Sequence, residues 1–383
     1  YTDEWHKYAL SDFVTRITRR NKNNESSLPL TISAQYGLVD QITFFNKTVA
    51  SVDLSGYYLL YNGDFAYNKS YSNDYAWGAV KRLDKYEKGC LSSLYFVFRP
   101  TDKVDSDYLT HYFETNKWHK GISDIAGEGA RNHGLLNMAV DDYFATKHYL
   151  PSLSEQKKIA CFLNLITKRI EIQNKIISDL KVLKKELCNR YFKSVHNDMS
   201  LGYITLKDIL TERKEYCSKD GTYTHGTLSK EGVSPKTERY DRDFLVKNED
   251  KQYKVTHFND ICYNPANLKF GVICRNTYGD LIFSPIYVTF EIADTVYPAY
   301  IELFLTNANF IGRIRRYEQG TVYERMAVSS EDFLSYETRM PTYEEQVKFA
   351  DKIQRIQDKI ELETSFLNYL QKQRKYLLNA MFI

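Results

Sequence analysis

The chain has 383 residues, enough for two or three domains, and 43% apolar and 26% charged residues, as in an ordinary globular protein. Its net charge of only +3 argues against a broadly basic surface that would coat nucleic acid regardless of sequence. No apolar run approaches the roughly 18 residues of a transmembrane helix, so no membrane partner is expected. The cysteines form no C-x-x-C pair and the histidines no H-x-x-x-H pair. These patterns predict buried, reduced thiols in a cytoplasmic protein and no metal site.

The first block, residues 1–150, predicts a mixed α/β domain. Short β-like runs are separated by Gly and Asn, and the clearest is Gly63–Asn68, which a polar, aromatic loop follows. Residues 91–98 alternate in polarity like one strand, and a helix is predicted to begin at Tyr108. A Gly-bearing loop, residues 125–137, closes the block.

The second block, residues 197–340, repeats this order of elements with a more divergent sequence. Its strand at Asn259–Asn264 matches the Gly-Asp strand of the first block, and residues 283–290 match the alternating run. A helix from Tyr300 and a Gly-bearing loop at residues 317–328 complete the correspondence. The chain is therefore predicted to contain two copies of one globular unit.

A long helix is predicted after each block, over residues 151–196 and 341–383. Leu150–Phe192 matches Met340–Phe382 at a constant offset of 190 residues without a gap, and both copies open with P-x-x-x-E-Q. No Pro or Gly interrupts either helix, and the first carries 10 Lys and Arg against 4 Asp and Glu. That basic excess is compatible with a solvated helix face.

Apolar residues recur three and four positions apart in both helices, as in the seam of a coiled coil. The predicted packing residues are Leu163, Ile166, Ile170, Ile177, Leu180, Leu187, Ile353, Ile356, Ile360, Leu367, Leu370 and Leu377. The predicted fold class is α/β (α+β): two tandem mixed α/β domains, each followed by a long helix, with the helices paired as an antiparallel coiled coil.

The sequence resembles the specificity (S) subunits of Type I restriction–modification systems over its whole length. The residues that carry the resemblance are Leu150–Ala160, L-P-S-L-S-E-Q-K-K-I-A, close to the family's L-P-P-L-x-E-Q-x-x-I-A. Met340–Gln346 is a looser copy of the same motif, and both copies lack the second Pro.

The resemblance implies a function in DNA recognition. The blocks 1–150 and 197–340 would be target-recognition domains that each read one half of a split, asymmetric site in double-stranded DNA. The helices 151–196 and 341–383 would set the gap between half-sites and dock two modification subunits. Those subunits would bind S-adenosylmethionine and methylate adenine, and restriction subunits, using ATP and Mg²⁺, would add cleavage. The S subunit would carry no active site and no cofactor.

The residues agree with a chain that is not an enzyme. The nearest approach to the methyltransferase motif [ND]-P-P-[YF] is Asn264–Asn267, N-P-A-N, which lacks the second Pro and the aromatic residue. No G-x-G-x-x-G or G-x-x-x-x-G-K-[ST] motif occurs either.

Residues that could contact DNA are basic, amide and aromatic side chains in the predicted loops, because base edges are read by such groups. In the first domain they are Arg16, Arg19, Arg20, Lys22, Lys69, Tyr71, Asn73, Tyr75, Lys81, Arg82, Arg131, Asn132 and His133. In the second they are Asn264, Asn267, Lys269, Arg275, Asn276, Arg313, Arg315, Arg316, Gln319, Tyr323 and Arg325. The last six form the densest basic and aromatic cluster in the chain.

Two other interpretations stay open at this point. The chain could be a non-catalytic coiled-coil scaffold that presents two protein-binding domains and never touches DNA. It could also be a fused methyltransferase, against which the missing cofactor loop argues.

Overall fold

A computed structural model describes residues 4–47, 50–51, 53–72, 75–126, 134–218, 222–236, 252–319 and 326–383. The chain divides into two compact units. Unit 1 comprises Tyr1–Asn174 and Ser365–Ile383, and unit 2 comprises Lys175–Thr364. Each unit therefore contains one globular domain and a segment of each long helix.

Unit 1 is built on short strands. They are β1 (His6–Ala9), β2 (Val14–Arg16), β3 (Leu30–Ser33), β4 (Gly37–Asp40), β5 (Tyr58–Tyr61), β6 (Phe65–Asn68), β7 (Ala79–Arg82), β8 (Lys88–Leu91), β9 (Phe96–Pro100) and β10 (Lys147–Leu150). The central sheet has the order β2-β9-β6-β7 and is antiparallel. The pairs β1-β10, β3-β4 and β5-β8 are also antiparallel.

Unit 2 repeats this arrangement. Its strands are β11 (Tyr203–Thr205), β12 (Leu210–Glu212), β13 (Tyr216–Cys217), β14 (Thr224–Ser229), β15 (Gly232–Pro235), β16 (Tyr253–Thr256), β17 (Ile261–Tyr263), β18 (Ile273–Arg275), β19 (Leu281–Phe283), β20 (Val288–Ile292) and β21 (Glu337–Arg339). The sheet β12-β20-β17-β18 has the topology of β2-β9-β6-β7, and β11-β21 corresponds to β1-β10. A further sheet has the order β13-β16-β19-β14-β15, in which β14 and β19 are parallel.

The helices differ greatly in length. They are α1 (Gln41–Phe45), α2 (Ser106–Tyr112), α3 (His119–Ile125), α4 (Val140–Ala145), α5 (Leu153–Asn197), α6 (Pro298–Leu305), α7 (Ala308–Ile314), α8 (Ser330–Leu334) and α9 (Tyr343–Ala380). The long helices α5 and α9 follow the domains in the predicted order. The mixed α/β fold class is confirmed.

The long helices run antiparallel within each unit. In unit 1, Arg374 Nε donates to Thr167 Oγ1 at 3.1 Å, while Leu163 shares a core with Leu378. In unit 2, Lys184 Nζ donates to Gln357 Oε1 at 2.9 Å. Each predicted packing residue on α5 and α9 is buried or half-buried. The apolar spacing therefore locates the packed faces of both helices.

A buried carboxylate anchors the central sheet of each unit. Asp64 accepts from Arg19 Nη2 at 2.9 Å and from Arg99 Nε at 2.6 Å. In unit 2, Asp260 accepts from Nε and Nη2 of Arg213 at 2.8 and 3.0 Å. Both carboxylates lie in the turn that precedes the central strand, where charge-assisted hydrogen bonds satisfy them. This explains why an Asp precedes the central strand in both blocks of the sequence, as Asp64 and as Asp260.

The core of unit 1 lies between the central sheet and the helices. Phe65 and Phe98 stack with ring centroids 5.5 Å apart, and Tyr143 stacks on Tyr67 at 4.7 Å. Phe382, two residues beyond α9, belongs to the same core. In unit 2 the corresponding rings belong to strands β17 and β20 and to α8.

The structure corrects two sequence expectations. Residues 91–98 are not one strand: β8 ends at Leu91, a turn follows, and β9 begins at Phe96. The turn closes through Tyr95 N donating to Ser92 O at 3.3 Å, so the polarity alternation spans a reversal of direction. A matching turn separates β19 from β20. The cysteines are free, as predicted, but Cys161 is exposed and Cys217 is only half-buried.

Candidate nucleic-acid interface

In unit 1, the loop after β6 lies beside the end of the Gly-bearing loop. Tyr71 N donates to Gly134 O at 3.2 Å, and Leu136 N donates to Lys69 O at 3.0 Å. The two loops are about 65 residues apart in sequence, and the sequence predicts DNA contact for each of them. Asn73, Arg131, Asn132 and His133 lie outside the described residues.

Unit 2 places the equivalent segments side by side. Val328 N donates to Pro265 O at 3.3 Å, and the Tyr263 hydroxyl donates to Val328 O at 3.1 Å. Asn267 is exposed in the turn after β17, and Lys269 Nζ lies 5.4 Å from the centroid of the exposed Phe270 ring. In both units, therefore, the segment after the central strand and the end of the Gly-bearing loop share one surface.

The basic cluster of unit 2 continues from α7 into a short 3₁₀ helix, Arg315–Tyr317. Arg315 and Arg316 are exposed, and Arg315 Nε is 3.9 Å from Glu318 Oε1. Arg316 has no hydrogen-bond or ion-pair partner among the described residues. Gln319 Nε2 donates to Asp332 Oδ2 at 2.9 Å. Two exposed guanidinium groups thus remain accessible to a ligand.

Arg313 lies apart from its exposed neighbours. Its side chain is half-buried and lines a cavity of about 300 Å³ beside His196, at the end of α5. Tyr323 and Arg325, the remaining members of the predicted cluster, lie outside the described residues.

Several other candidate cations are held within the fold. Arg19 is bound to Asp64, and Arg20 donates from Nη1 to Gly56 O at 2.5 Å. Arg82 pairs with Asp84 and Asp107 at 2.6 and 2.7 Å. These side chains already form ion pairs or hydrogen bonds within the domain, so their primary role is to stabilise turns and helix starts.

The same holds for three candidates of unit 2. Arg275 Nε donates to Glu302 Oε2 at 2.9 Å, in the same place in the fold as Arg82. Asn276 is fully buried, where its amide donates to Gly279 O at 2.7 Å and its Oδ1 accepts from Tyr278 N at 3.0 Å. Asn264 is buried too, and its Oδ1 accepts from Ala266 N at 3.1 Å.

The remaining candidates are accessible to different degrees. Arg16, on β2, and Lys22 are exposed. Lys69, Tyr75 and Lys81 are half-buried, and Lys69 Nζ lies 4.9 Å from the centroid of the Phe96 ring. The exposed and half-buried cations around the β6–β7 hairpin are therefore the part of unit 1 that could meet a polyanion.

The long helices expose large apolar side chains away from their packed faces. In unit 1 these are Phe162, Leu165 and Ile172 on α5, three and seven positions apart, and Tyr369 and Tyr376 on α9. Leu165 and Tyr369 are each 62% exposed. Apolar side chains repeated along one helix face are typical of a surface that binds another helix.

The described residues contain no cluster of three or more His, Cys, Asp or Glu side chains suited to a metal ion. None of the described helices has both the length and the hydropathy of a bilayer span.

The fold is similar to those of solved S subunits of Type I restriction–modification systems. The chain is similar to the HsdS subunit from Thermoanaerobacter tengcongensis, with 14% identity, a TM-score of 0.53, and coverage of 99% of this chain and 96% of that one. It is also similar to the S subunit of a Type I restriction–modification system from M. genitalium, with 14% identity, a TM-score of 0.53, and coverage of 100% and 97%.

A third solved chain comes from a study of complex assembly and conformational transition of the type I restriction–modification system. It shows 13% identity and a TM-score of 0.59, with coverage of 100% of this chain and 99% of that one. The likeness is one of fold over essentially the full length, as the sequence resemblance predicted. No family model matches the sequence. No curated protein matches it either.

Proposed function

We propose that this chain is the DNA sequence-specificity subunit of a Type I restriction–modification complex. Each globular domain would read one half of a bipartite, asymmetric site in double-stranded DNA. The observation that carries the proposal is the full-length match to solved specificity subunits. The duplication of one α/β unit in this chain supports it, since two readers suit a site with two halves.

The two units share the topology of the central sheet but differ in their loops, and this contrast also supports a function in DNA recognition. An arginine-bound carboxylate and the topology of the central sheet recur in both units. The loops beside them differ, with Lys69 and Tyr71 in unit 1 and Asn267 and Lys269 in unit 2. Because bases are read by side chains while the fold only positions them, different loops on one frame would give different half-sites.

Arg315 and Arg316 are the cations that we propose for DNA contact in unit 2, because they are exposed and close to the shared loop surface. Arg19, Arg82 and Arg275 take part in internal ion pairs, and we do not assign them to base recognition.

The paired helices would dock two modification subunits and set the gap between half-sites. The exposed apolar residues on α5 and α9 support docking, because a partner helix would remove them from water. S-adenosylmethionine and the adenine-methylating site would belong to the modification subunits, and ATP and Mg²⁺ to restriction subunits. This chain would be non-catalytic and would act in the cytoplasm.

The test is a genome-wide map of adenine methylation in cells that express this chain with a modification subunit encoded beside it. We expect a two-part motif. Replacing residues 197–340 with another domain of the same kind should change one half of the motif and leave the other half intact. A change in both halves would refute independent reading by the two domains.

The same experiment tests the scaffold interpretation. If the modification subunit still co-purifies with this chain but no new methylation is found, the chain joins proteins without directing them to DNA. Co-purification is therefore measured alongside the methylation map.

A further inference from the structure

Unit 1 contains an open cleft of about 630 Å³ that the sequence did not reveal. One wall is the β6–β7 hairpin, with Tyr75 and Lys81. The β3–β4 turn contributes Gln35, and the last part of α9 contributes Arg374 and Lys375. The cleft thus joins a loop proposed to meet DNA to one of the long helices.

The cleft is positively charged. Its lining includes the ammonium groups of Lys81 and Lys375, the Arg374 guanidinium and one carboxylate, that of Glu114. Arg374 binds both Glu114 and Thr167, so the carboxylate is neutralised within the wall. Burial opposes ionisation of Glu114, but the nearby His111 and Arg374 outweigh it and lower the Glu114 pKa to about 2. The carboxylate stays ionised at neutral pH, which leaves the two lysines as the uncompensated charges.

Lys81 is the less exposed of the two lysines in the cleft. Its side chain is half-buried, and it has no hydrogen-bond or ion-pair partner among the described residues. Burial lowers its pKa, with the charge of Glu114 acting in the opposite direction. Lys81 lines the open cleft, so an anion that enters the cleft could become the partner of its ammonium group.

Comparison of the two units shows that the fold does not require this lysine. Lys81 pairs with Ala66 across β6–β7, and Cys274 pairs with Cys262 at the same place across β17–β18. Cys274 is buried in an apolar cluster. An apolar residue therefore suits this position, and the cation of unit 1 calls for a functional explanation.

The wall of the cleft around Lys81 contains a tight turn and polar side chains. Gly78, with φ of +77°, closes the hairpin so tightly that a Cβ atom there would lie 2.1 Å from Asn68 O. Gln35 and Tyr75 add side-chain donors near the cations. Donors around unpaired cations match the oxygens of a phosphodiester.

We propose that this cleft binds the DNA backbone, with Lys81 and Lys375 contacting phosphates of the duplex that domain 1 reads. This inference rests on the proposed DNA-binding function. Phosphate contacts do not select bases but fix position, so they would hold the half-site in register with the β6–β7 loop and the end of α9. The second half-site would have no equivalent of the Lys81 contact.

The experiment compares a double variant, Lys81→Met with Lys375→Gln, with a charge-matched control, Lys103→Met with Lys372→Gln. Lys103 and Lys372 are exposed residues of unit 1 that do not line the cleft. Binding of the full chain with its modification subunit to fluorescent duplex DNA is measured from about 50 to 200 mM salt. Loss of two phosphate contacts should reduce the slope of log K against log salt by about 2, with every duplex sequence weakened alike.

Two results would overturn the cleft proposal without refuting DNA reading. The cleft variant could keep the wild-type slope of log K against log salt, or the control variant could lose as much of that slope as the cleft variant. Failure of the wild-type complex to bind any duplex would refute the proposed function itself. The cleft could instead bind a free phosphate group. This alternative is tested by measuring whether inorganic phosphate or a mononucleotide raises the melting temperature of the chain. If such stabilisation is lost in the cleft variant while the DNA slope is unchanged, the site binds a free phosphate and the DNA proposal is wrong.

Discussion

The glutamine of the repeated P-x-x-x-E-Q motif forms the same link in both units. In unit 1, Gln156 Nε2 donates to Pro151 O at 3.0 Å, and its Oε1 accepts from Asp105 N at 2.9 Å. In unit 2, Gln346 donates to Pro341 O at 2.9 Å and accepts from Tyr297 N at 2.9 Å. Each glutamine is 1% exposed and connects the start of a long helix to the residue that precedes a domain helix.

Replacing Gln156 with Met should therefore destabilise unit 1. Met has a similar volume but makes neither hydrogen bond, so it leaves the Asp105 N–H and the Pro151 carbonyl without their partner in a buried site. Each buried polar group left unsatisfied costs about 1–3 kcal/mol, and we expect about 2–4 kcal/mol in total. The exposed Gln371→Met in the same unit is the control and should change stability by less than about 0.5 kcal/mol.

Urea unfolding followed by tryptophan fluorescence measures this effect selectively. The three tryptophans, Trp5, Trp77 and Trp118, all belong to unit 1. The Gln156→Met transition should move to lower urea concentration with an unchanged slope. Gln346→Met should leave that transition in place. A shift in Gln156→Met no larger than that of Gln371→Met would refute this assignment of the motif.

Two further predictions concern unit 1. Burial lowers the pKa of His148 from 6.5 to about 4, so the neutral ring contributes stability above pH 6.5 that is lost as the pH falls toward 4. The free energy of unfolding should fall by about 3 kcal/mol over this range, and this pH dependence should be absent in His148→Gln. An equally steep pH profile of stability in His148→Gln would contradict the prediction. Gly78→Ala should lower the melting temperature more than Gly134→Ala, because both glycines have φ near +77° but only Gly78 would bring Cβ against Asn68 O. Equal decreases in melting temperature would show that the positive φ alone, and not the contact with Asn68 O, destabilises the variants.

The long-range organisation could be predicted from the sequence because it depends on repetition and periodicity. The constant offset of 190 residues and the spacing of Leu163, Ile166 and Ile170 are properties of the printed sequence. They indicate a duplicated unit and a packed helix face without any knowledge of tertiary contacts.

The DNA-facing side chains could not be predicted to the same degree, because a cation in a loop does not reveal its partner. Arg19 meets Asp64, 45 positions away, and Arg82 meets Asp107, 25 positions away. Residues of the cleft such as Arg374 were missed for the same reason. It lies on a helix that the sequence assigned to packing, and only the antiparallel pairing brings it beside the first domain.

The polar residues in the helix seam have a role that follows from the offset of 190. Thr167 of α5 is equivalent to Gln357 of α9, and Lys184 is equivalent to Arg374. Each unit pairs one member of each set: Thr167 with Arg374 in unit 1, and Lys184 with Gln357 in unit 2. A shift of one heptad that replaced Gln357 with Ala350, or Thr167 with Ala160, would leave a half-buried cation without this hydrogen bond, whereas the apolar seam alone would tolerate it. The polar pairs therefore disfavour this shift and add to the apolar seam in specifying the antiparallel register of the two helices.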